Sequence, residues 1–207
     1  MEILLENIGR RYNQEWIFRG LNHQFTAENP TVILGANGSG KSTLLQIILG
    51  IHTPSEGTIT YSVEQKSINI EDVFRSFSFA SPYMELFEEL TLMEMLNFHS
   101  GFKQFVKGID SENVVELLNL QKAKHKELKY YSSGMKQRVK LGLAILTDSA
   151  AILLDEPLSN LDKNGVAWYQ SLIKEFAMNR LLIICSNHQP DEHFCCTKQV
   201  VMEDYKG

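Results

Sequence analysis

The chain has 207 residues, of which 43% are hydrophobic and 22% charged, and a formal net charge of −5. That is enough for one large α/β domain with a core of its own, and the acidic balance argues against a dedicated nucleic-acid binder. No apolar run approaches the roughly 18 residues of a membrane-crossing helix. The opening MEILLENIGRRYNQ carries no signal-peptide pattern, and Cys185, Cys195 and Cys196 have neither disulfide-framework nor zinc spacing, so the chain is expected in the cytoplasm.

In chain order, EILLENI (residues 2–8) and GLNHQF (20–25) read as short strands around a polar turn. TVIL (31–34) reads as a buried strand, followed by GANGSGKST and a helical apolar pattern ending near Gly50. TPSEG is turn chemistry, and TITYS and RSFSFAS (75–81) read as strands. From about residue 83 to 128 the texture becomes helical, with LTLMEMLNFHSGF and SENVVELLNL, and no linker sets it apart as a separate domain. After it come a helix at VKLGLAIL, a strand at AAILL (150–154), a helix at GVAWYQSLIKEFAMN and strands at LLIIC (181–185) and KQVVME. The continuous apolar runs at 31–34, 150–154 and 181–185 suit central strands of a mostly parallel sheet covered on both faces.

GANGSGKS (residues 35–42) fits G-x-x-x-x-G-K-[ST] and lies between a strand and a helix, the context that gives the motif its meaning. Gly35, Gly38 and Gly40 let the backbone approach phosphates closely. Successive N–H groups and the helix start then converge on the β- and γ-phosphates. Lys41 adds a point charge and Ser42 a ligand for Mg²⁺. The chain is therefore expected to bind a nucleoside triphosphate with Mg²⁺.

AAILLDEP narrows the class. Asp155, at the end of an apolar strand, can hold Mg²⁺, and Glu156 beside it can polarise a water against the γ-phosphate. His188 lies just past the buried run 181–185, at the carboxyl edge where ligands bind in open α/β sheets, and can hold that water in place. The other five histidines, His23, His52, His99, His125 and His193, have no such context. No N-K-x-D element of guanine specificity is present. SNLD (159–162) reads by itself as a helix N-cap. In YYSSGMKQR (130–138), Ser-Ser-Gly opens a helix with basic residues in its first turns, a second potential anion site.

The order GANGSGKST, LTLMEML, YYSSGMKQRVKLGLAIL, AILLDEPLSNLD, SNH resembles the nucleotide-binding ATPase subunits of ABC transporters across nearly the whole chain, with the shape of small stand-alone, haem-exporter-like or export-type subunits. The resemblance implies an α/β phosphate-loop NTPase core of RecA-like type (about 1–82 and 129–207) with an N-terminal antiparallel β subdomain and an inserted helical subdomain (83–128). It implies ATP and Mg²⁺ as ligands, with Tyr12 stacking on adenine (Trp16 as the alternative). Gly35, Asn37, Gly38, Gly40, Lys41, Ser42 and Thr43 would bind ATP, Ser42 and Asp155 the metal. Glu156 would be the catalytic base, His188 the switch histidine and Asp162 the residue that communicates across a dimer.

Ser132, Ser133 and Gly134 resemble the signature element that serves the ATP of an opposite subunit. The implied assembly is a head-to-tail pair, a homodimer by expectation, attached to integral membrane permease subunits at the inner face of the cell membrane. A loop at 81–89 carrying Tyr83, Met84, Leu86 and Phe87 would be the socket for a partner helix. Two departures stand out. Ser133 replaces a signature glycine, and the glutamine usual after the FSFA strand is absent, with Glu85 the nearest polar substitute. The competing reading is a soluble ATPase or ATP-dependent switch with a non-membrane partner.

Overall fold

In the computed structural model, which describes residues 1–206, strand β1 (Glu2–Tyr12) folds back as an antiparallel hairpin on β2 (Glu15–Thr26). The turn is short because Asn13 takes a left-handed φ of 53°, a conformation that asparagine tolerates. Both strands are longer than their apolar stretches suggest. In the outer part of the hairpin, arginine–aromatic packing replaces apolar alternation. The Arg10 guanidinium lies 4.8 Å from the Tyr12 ring, and Arg11 and Arg19 lie 5.6 and 4.7 Å from that of Trp16. Register shifts after Leu5 further break the period of two. Strands β4 (Glu56–Val63) and β5 (Lys66–Ile68) complete this antiparallel sheet in the order β2-β1-β4-β5. The three-residue β5 has no sequence signature, since its turn is made by left-handed Glu64 and Gln65 rather than by glycine.

The second sheet has five strands in the order β6-β7-β8-β3-β9, all parallel. They are β3 (Thr31–Leu34), β6 (Phe77–Ala80), β7 (Ala151–Asp155), β8 (Leu181–Ser186) and β9 (Lys198–Val201). The three continuous apolar runs are the three inner strands, buried at every residue. Their two faces feed two cores. Leu153 and Ala151 of β7 pack with Phe18, Phe25, Leu44 and Tyr61 under the antiparallel sheet. Ile152 and Leu154 pack with Leu118, Val139, Leu143 and Tyr169 on the other side.

Helix α1 (Lys41–Ile48) follows β3, and α4 (Ser133–Ile145) and α5 (Lys163–Phe176) flank β7 in the chain. Between β6 and α4 lie α2 (Leu92–Ser100), opened by a Thr91–Glu94 capping box, and α3 (Ser111–Leu117), opened by Asp110. Because all five strands of the core sheet run the same way, their carboxyl ends share one edge. Leu34 lies opposite Ser186, Asp155 opposite Cys185 and Ala80 opposite Leu154. The segments after these strands carry the phosphate loop, Glu156, His188 and the 81–89 loop, and this edge is where open α/β sheets bind ligands.

Truncating a side chain shared by the sheet and the cores should be costly. We expect Leu153→Ala, at a site with 0% exposure, to lower unfolding free energy by about 2–5 kcal/mol. Urea titration followed by circular dichroism checks this, and an unchanged midpoint would contradict the packing described.

Candidate nucleotide site

The loop between β3 and α1 is held by its own backbone and two side chains. Gly40, the residue before α1, has φ 99°, and a Cβ there would lie 2.7 Å from Ile17 Cγ2. No side chain caps α1 and no acid lies in its first turn, so its leading N–H groups are available to an anion. Lys41 folds over the loop, and its Nζ donates to the carbonyls of Gly35 (2.7 Å) and Ala36 (3.2 Å), leaving one ammonium hydrogen free. The Ala36 N–H donates to Glu203 Oε1 at 2.9 Å, which holds that carboxyl below the usual range and pins the loop to the turn after β9.

Across the sheet, Ser42 Oγ donates to Asp155 Oδ2 at 2.8 Å. Asp155 is 4% exposed, and its other oxygen, Oδ1, is buried with no hydrogen-bond partner. Burial pushes its carboxyl up, against the pull of the Ser42 bond. A serine hydroxyl beside a carboxylate with an unpartnered buried oxygen is the donor set of a hard divalent cation, so these residues fit Mg²⁺. The nearby thiol of Cys185 offers no competing soft ligand, because it is fully buried and burial raises its pKa far above the usual thiol range.

Asn37, Gly38, Gly40, Lys41, Ser42, Thr43, Asp155 and Glu156 all line one cleft of about 360 Å³, closed by Ile17 and Tyr83. Gly35 sits behind the loop, where a Cβ would lie 2.3 Å from Ser39 Oγ. Glu156 has a left-handed φ of 43°, and its N–H donates to the Cys185 carbonyl at 3.0 Å. His188 is exposed, also left-handed at 56°, two residues beyond β8. It is not among the residues lining the cleft.

Tyr12 is likewise not brought to the cleft. It ends β1, half exposed, with the Arg10 guanidinium over its ring. Trp16 is engaged by two arginines, and Ile17 is the hairpin residue that reaches the cleft wall.

Ser132, Ser133 and Gly134 lie apart from this cleft. Ser132 is the exposed N-cap of α4 and accepts from the Met135 N–H at 3.2 Å. Ser133 opens α4 and is not among the left-handed residues, so the change from glycine carries no backbone strain. Gly134 backs onto the chain after Glu156, where a Cβ would lie 3.0 Å from the Asn160 carbonyl. Buried Gln137 donates to the Pro157 carbonyl at 2.9 Å. Asp162 caps α5 by accepting from the Gly165 N–H at 2.7 Å.

The loop at 81–89 divides in two. Tyr83 stands at the nucleotide cleft, whereas Met84, Glu85 and Leu86 line a second, largely apolar cavity of about 460 Å³ with Phe74, Phe98 and Phe102. Of the residues around the place of the absent glutamine, Tyr83 borders the cleft, whereas Glu85, the nearest polar one, lines the apolar cavity. The turn from Ser81 to Met84 and the bond from Lys140 Nζ to the Pro82 carbonyl (2.6 Å) aim the two residues at different cavities. Ile17, Gln137, Glu192 and Glu203 are site residues to which no sequence signal points, and Tyr83, expected in the partner socket, stands at the nucleotide cleft instead.

A phosphate loop, a strand-end Asp-Glu pair and a capped second helix start on a parallel sheet with an antiparallel flank define a phosphate-loop NTPase cassette. The sequence profile described as "ABC transporter" matches residues 18–159, and the chain belongs to that family as an ATP-binding cassette. It is 32% identical over 201 residues to the sulfate/thiosulfate import ATP-binding protein CysA of Mesostigma viride, covering 88% of this chain and 54% of that one. The chain thus spans about half the length of that relative. A solved dimeric post-hydrolysis state of the ATP-binding cassette MJ0796 bound to ADP and Pi superposes with a TM-score of 0.81 at 19% identity, covering 99% and 94% of the two chains. A solved ATP-binding subunit of an ABC transporter superposes with a TM-score of 0.79 at 21% identity, covering 97% and 85%.

The two left-handed loop glycines should differ on substitution. Gly40→Ala combines left-handed strain of about 1–2 kcal/mol with the Ile17 clash. We expect it to weaken binding of a fluorescent ATP analogue by at least about tenfold. Gly38→Ala, with nothing within 4 Å of the new Cβ, should lose less. Equal losses would remove Ile17 from the account.

Proposed function

We propose that the chain binds and hydrolyses ATP as the energy-coupling subunit of an ABC transporter, working as a head-to-tail pair attached to separate integral membrane subunits. The observation that carries this reading is the Ser42–Asp155 bond with the unpartnered Asp155 oxygen beside it, adjoining Glu156 in one cleft. Mg²⁺ held by Ser42 and Asp155 would neutralise phosphate charge when bound. Lys41 and the N–H groups at the start of α1 bind the phosphates. Glu156 takes a proton from the attacking water at its carboxylate, and its backbone bond to Cys185 fixes where that carboxylate enters the cleft. His188, exposed at the neighbouring strand end and outside the cleft of the single chain, would orient the same water on turning inward.

The exposed start of α4 supports the paired arrangement. Ser132, Ser133 and Gly134 form a helix N-terminus that does not serve the chain's own cleft, and such a terminus suits the phosphates of another chain's ATP. A two-fold pair makes both sites alike, through an isologous interface. The apolar cavity beside the 81–89 loop, walled by Phe74, Phe98 and Phe102, with exposures of 56%, 46% and 77%, supports docking of a helix from a membrane subunit. No helix among the described residues is long and apolar enough to cross a membrane, so a transporter built on this cassette draws its membrane spans from elsewhere.

Glu156→Gln should leave MgATP binding intact, lower turnover by about 10²–10⁴-fold and trap an ATP-dependent dimer on a sizing column. Ser132→Arg should bind ATP yet fail to hydrolyse it. Normal hydrolysis in Ser132→Arg, together with a persistent monomer in Glu156→Gln, would rule out the shared site. For the docking surface, Phe102→Asp should retain ATP binding and lose co-purification of an integral membrane protein. Wild-type chain that brings none down from solubilised membranes counts against transport coupling.

A further inference from the structure

Asp155 and Glu192 are the two buried acids among the described residues. The nucleotide site uses the first, and nothing so far uses the second. Glu192 is 2% exposed and lies in the turn after His188, in a stretch, HQPDEH, that reads as a solvated loop. Its carboxylate faces inward and ties together two pieces of chain. Oε1 accepts from the Leu158 N–H at 3.3 Å, and Oε2 takes the hydrogen of Ser186 Oγ. Ser186 Oγ in turn accepts from the Gln189 N–H at 3.1 Å. The Glu192 backbone carbonyl is fixed from behind by Tyr169 Oη of α5 at 2.8 Å. Leu158 lies between Glu156 and Asp162, and Ser186 and Gln189 bracket His188.

We propose that Glu192 is a positioning residue of the nucleotide site, whose carboxylate couples the segment 156–162 to the segment 186–189 so that Glu156 and His188 hold one mutual geometry. The proposal rests on the hydrolytic reading of the site given above. A carboxylate suits the task because both partners donate to it, and an acceptor with two oxygens can bridge them. Burial beside Asp155 and Glu156 raises its pKa above the ordinary carboxylate range. A group that served only to fill space would be an apolar residue of this size, at less cost. The bridge extends further. Gln137 of α4 bonds Pro157, next to Leu158, and Gly134 backs onto Asn160, so the segment that Glu192 anchors also touches the helix bearing Ser132.

The test uses the full chain with MgATP and three variants, Glu192→Ala, Glu192→Gln and Ser186→Ala. Backbone hydrogen exchange is read at 156–162 and 186–189, alongside affinity for a fluorescent ATP analogue and steady-state kcat and KM. Glu192→Ala should speed exchange in both segments together and lower kcat on the order of 10²-fold, the scale of a small misplacement of reacting groups. KM and analogue affinity should stay unchanged, because Glu192 makes no bond to the phosphate loop.

Glu192→Gln keeps an acceptor for Leu158 and should recover most of kcat. Ser186→Ala cuts one side of the bridge and should give a milder loss of the same kind. Faster exchange in one segment only, an unchanged kcat, or kcat and KM changing together with the folded fraction would overturn the proposal. Should Glu192→Ala fail to fold, wild-type exchange and kcat in Ser186→Ala overturn it equally. Wild-type chain that turns over no ATP would instead sink the hydrolytic reading, and the exchange data alone would then decide whether Glu192 couples the two segments.

Discussion

Ser42 and Asp155 are 113 residues apart and share a 2.8 Å hydrogen bond at the floor of the cleft. A buried carboxylate is costly unless it is paired, and here the pairing is partial. One oxygen is bonded and the other has no partner. The fold meets that constraint with geometry. In the order β7-β8-β3, strand β8 lies between the strand that ends in Asp155 and the strand that leads into the phosphate loop. The Ser42 hydroxyl must therefore reach over the end of β8, where Cys185 and Ser186 keep the side chains small. Cys185 Sγ sits 3.8 Å from the Lys41 carbonyl, so α1 begins almost in contact with β8. A bulky residue at 185 would lift α1 and open the Ser42–Asp155 distance.

The same edge stores backbone strain. Glu156 and His188 are non-glycine residues in the left-handed region, each at a cost of about 1–3 kcal/mol. Such conformations persist only where the surroundings over-determine them. The Glu156 N–H is bonded to Cys185 and its carbonyl accepts from Ser159, while Ser186 Oγ holds the Gln189 N–H just past His188. The packing of β7 and β8 into both cores anchors these bonds. Stability and site geometry are thus linked through two strands, and a cavity in either core reaches the cleft through the strand ends rather than by direct contact.

What the sequence discloses follows from the range of the forces involved. The inner strands β3, β7 and β8 are legible as continuous apolar runs because parallel strands buried on two faces show no alternation. The phosphate loop is legible because its geometry is written in residues adjacent in the chain, as are the caps Ser132 and Asp162. The outer hairpin is illegible because Arg10, Arg11 and Arg19 stabilise it by lying on aromatic rings, which reads as polar turn. Glu192 and Glu203 are illegible for another reason. Their partners, Leu158 and Ala36, are 34 and 167 residues away, and an acid beside a histidine or at the end of the chain looks like any solvated acid. That Tyr83 faces the cleft and Glu85 the apolar cavity is hidden for the same reason, since the direction of that loop is set by Lys140, 58 residues beyond Pro82.

That last contact joins three parts of the molecule. Pro82 is held by α4, the helix that Ser132 opens, while Tyr83 borders the nucleotide cleft and Met84 borders the apolar cavity. Adjacent residues about 3.8 Å apart thus face the two cavities, and the residue before them is tied to the helix. In a cassette working as proposed, a ligand that shifts Tyr83 must either break the Lys140 bond or carry the shift into Met84 and the cavity wall. Partial burial lowers the pKa of Lys140, so its ammonium is in part withdrawn from water, and breaking the bond would cost it the one carbonyl partner that makes up for this. The cheaper course is movement of the loop with α4 as one body. Substituting tyrosine for the usual glutamine does not alter that linkage, because the linkage resides in the backbone carbonyl of Pro82 and not in the side chain that follows it.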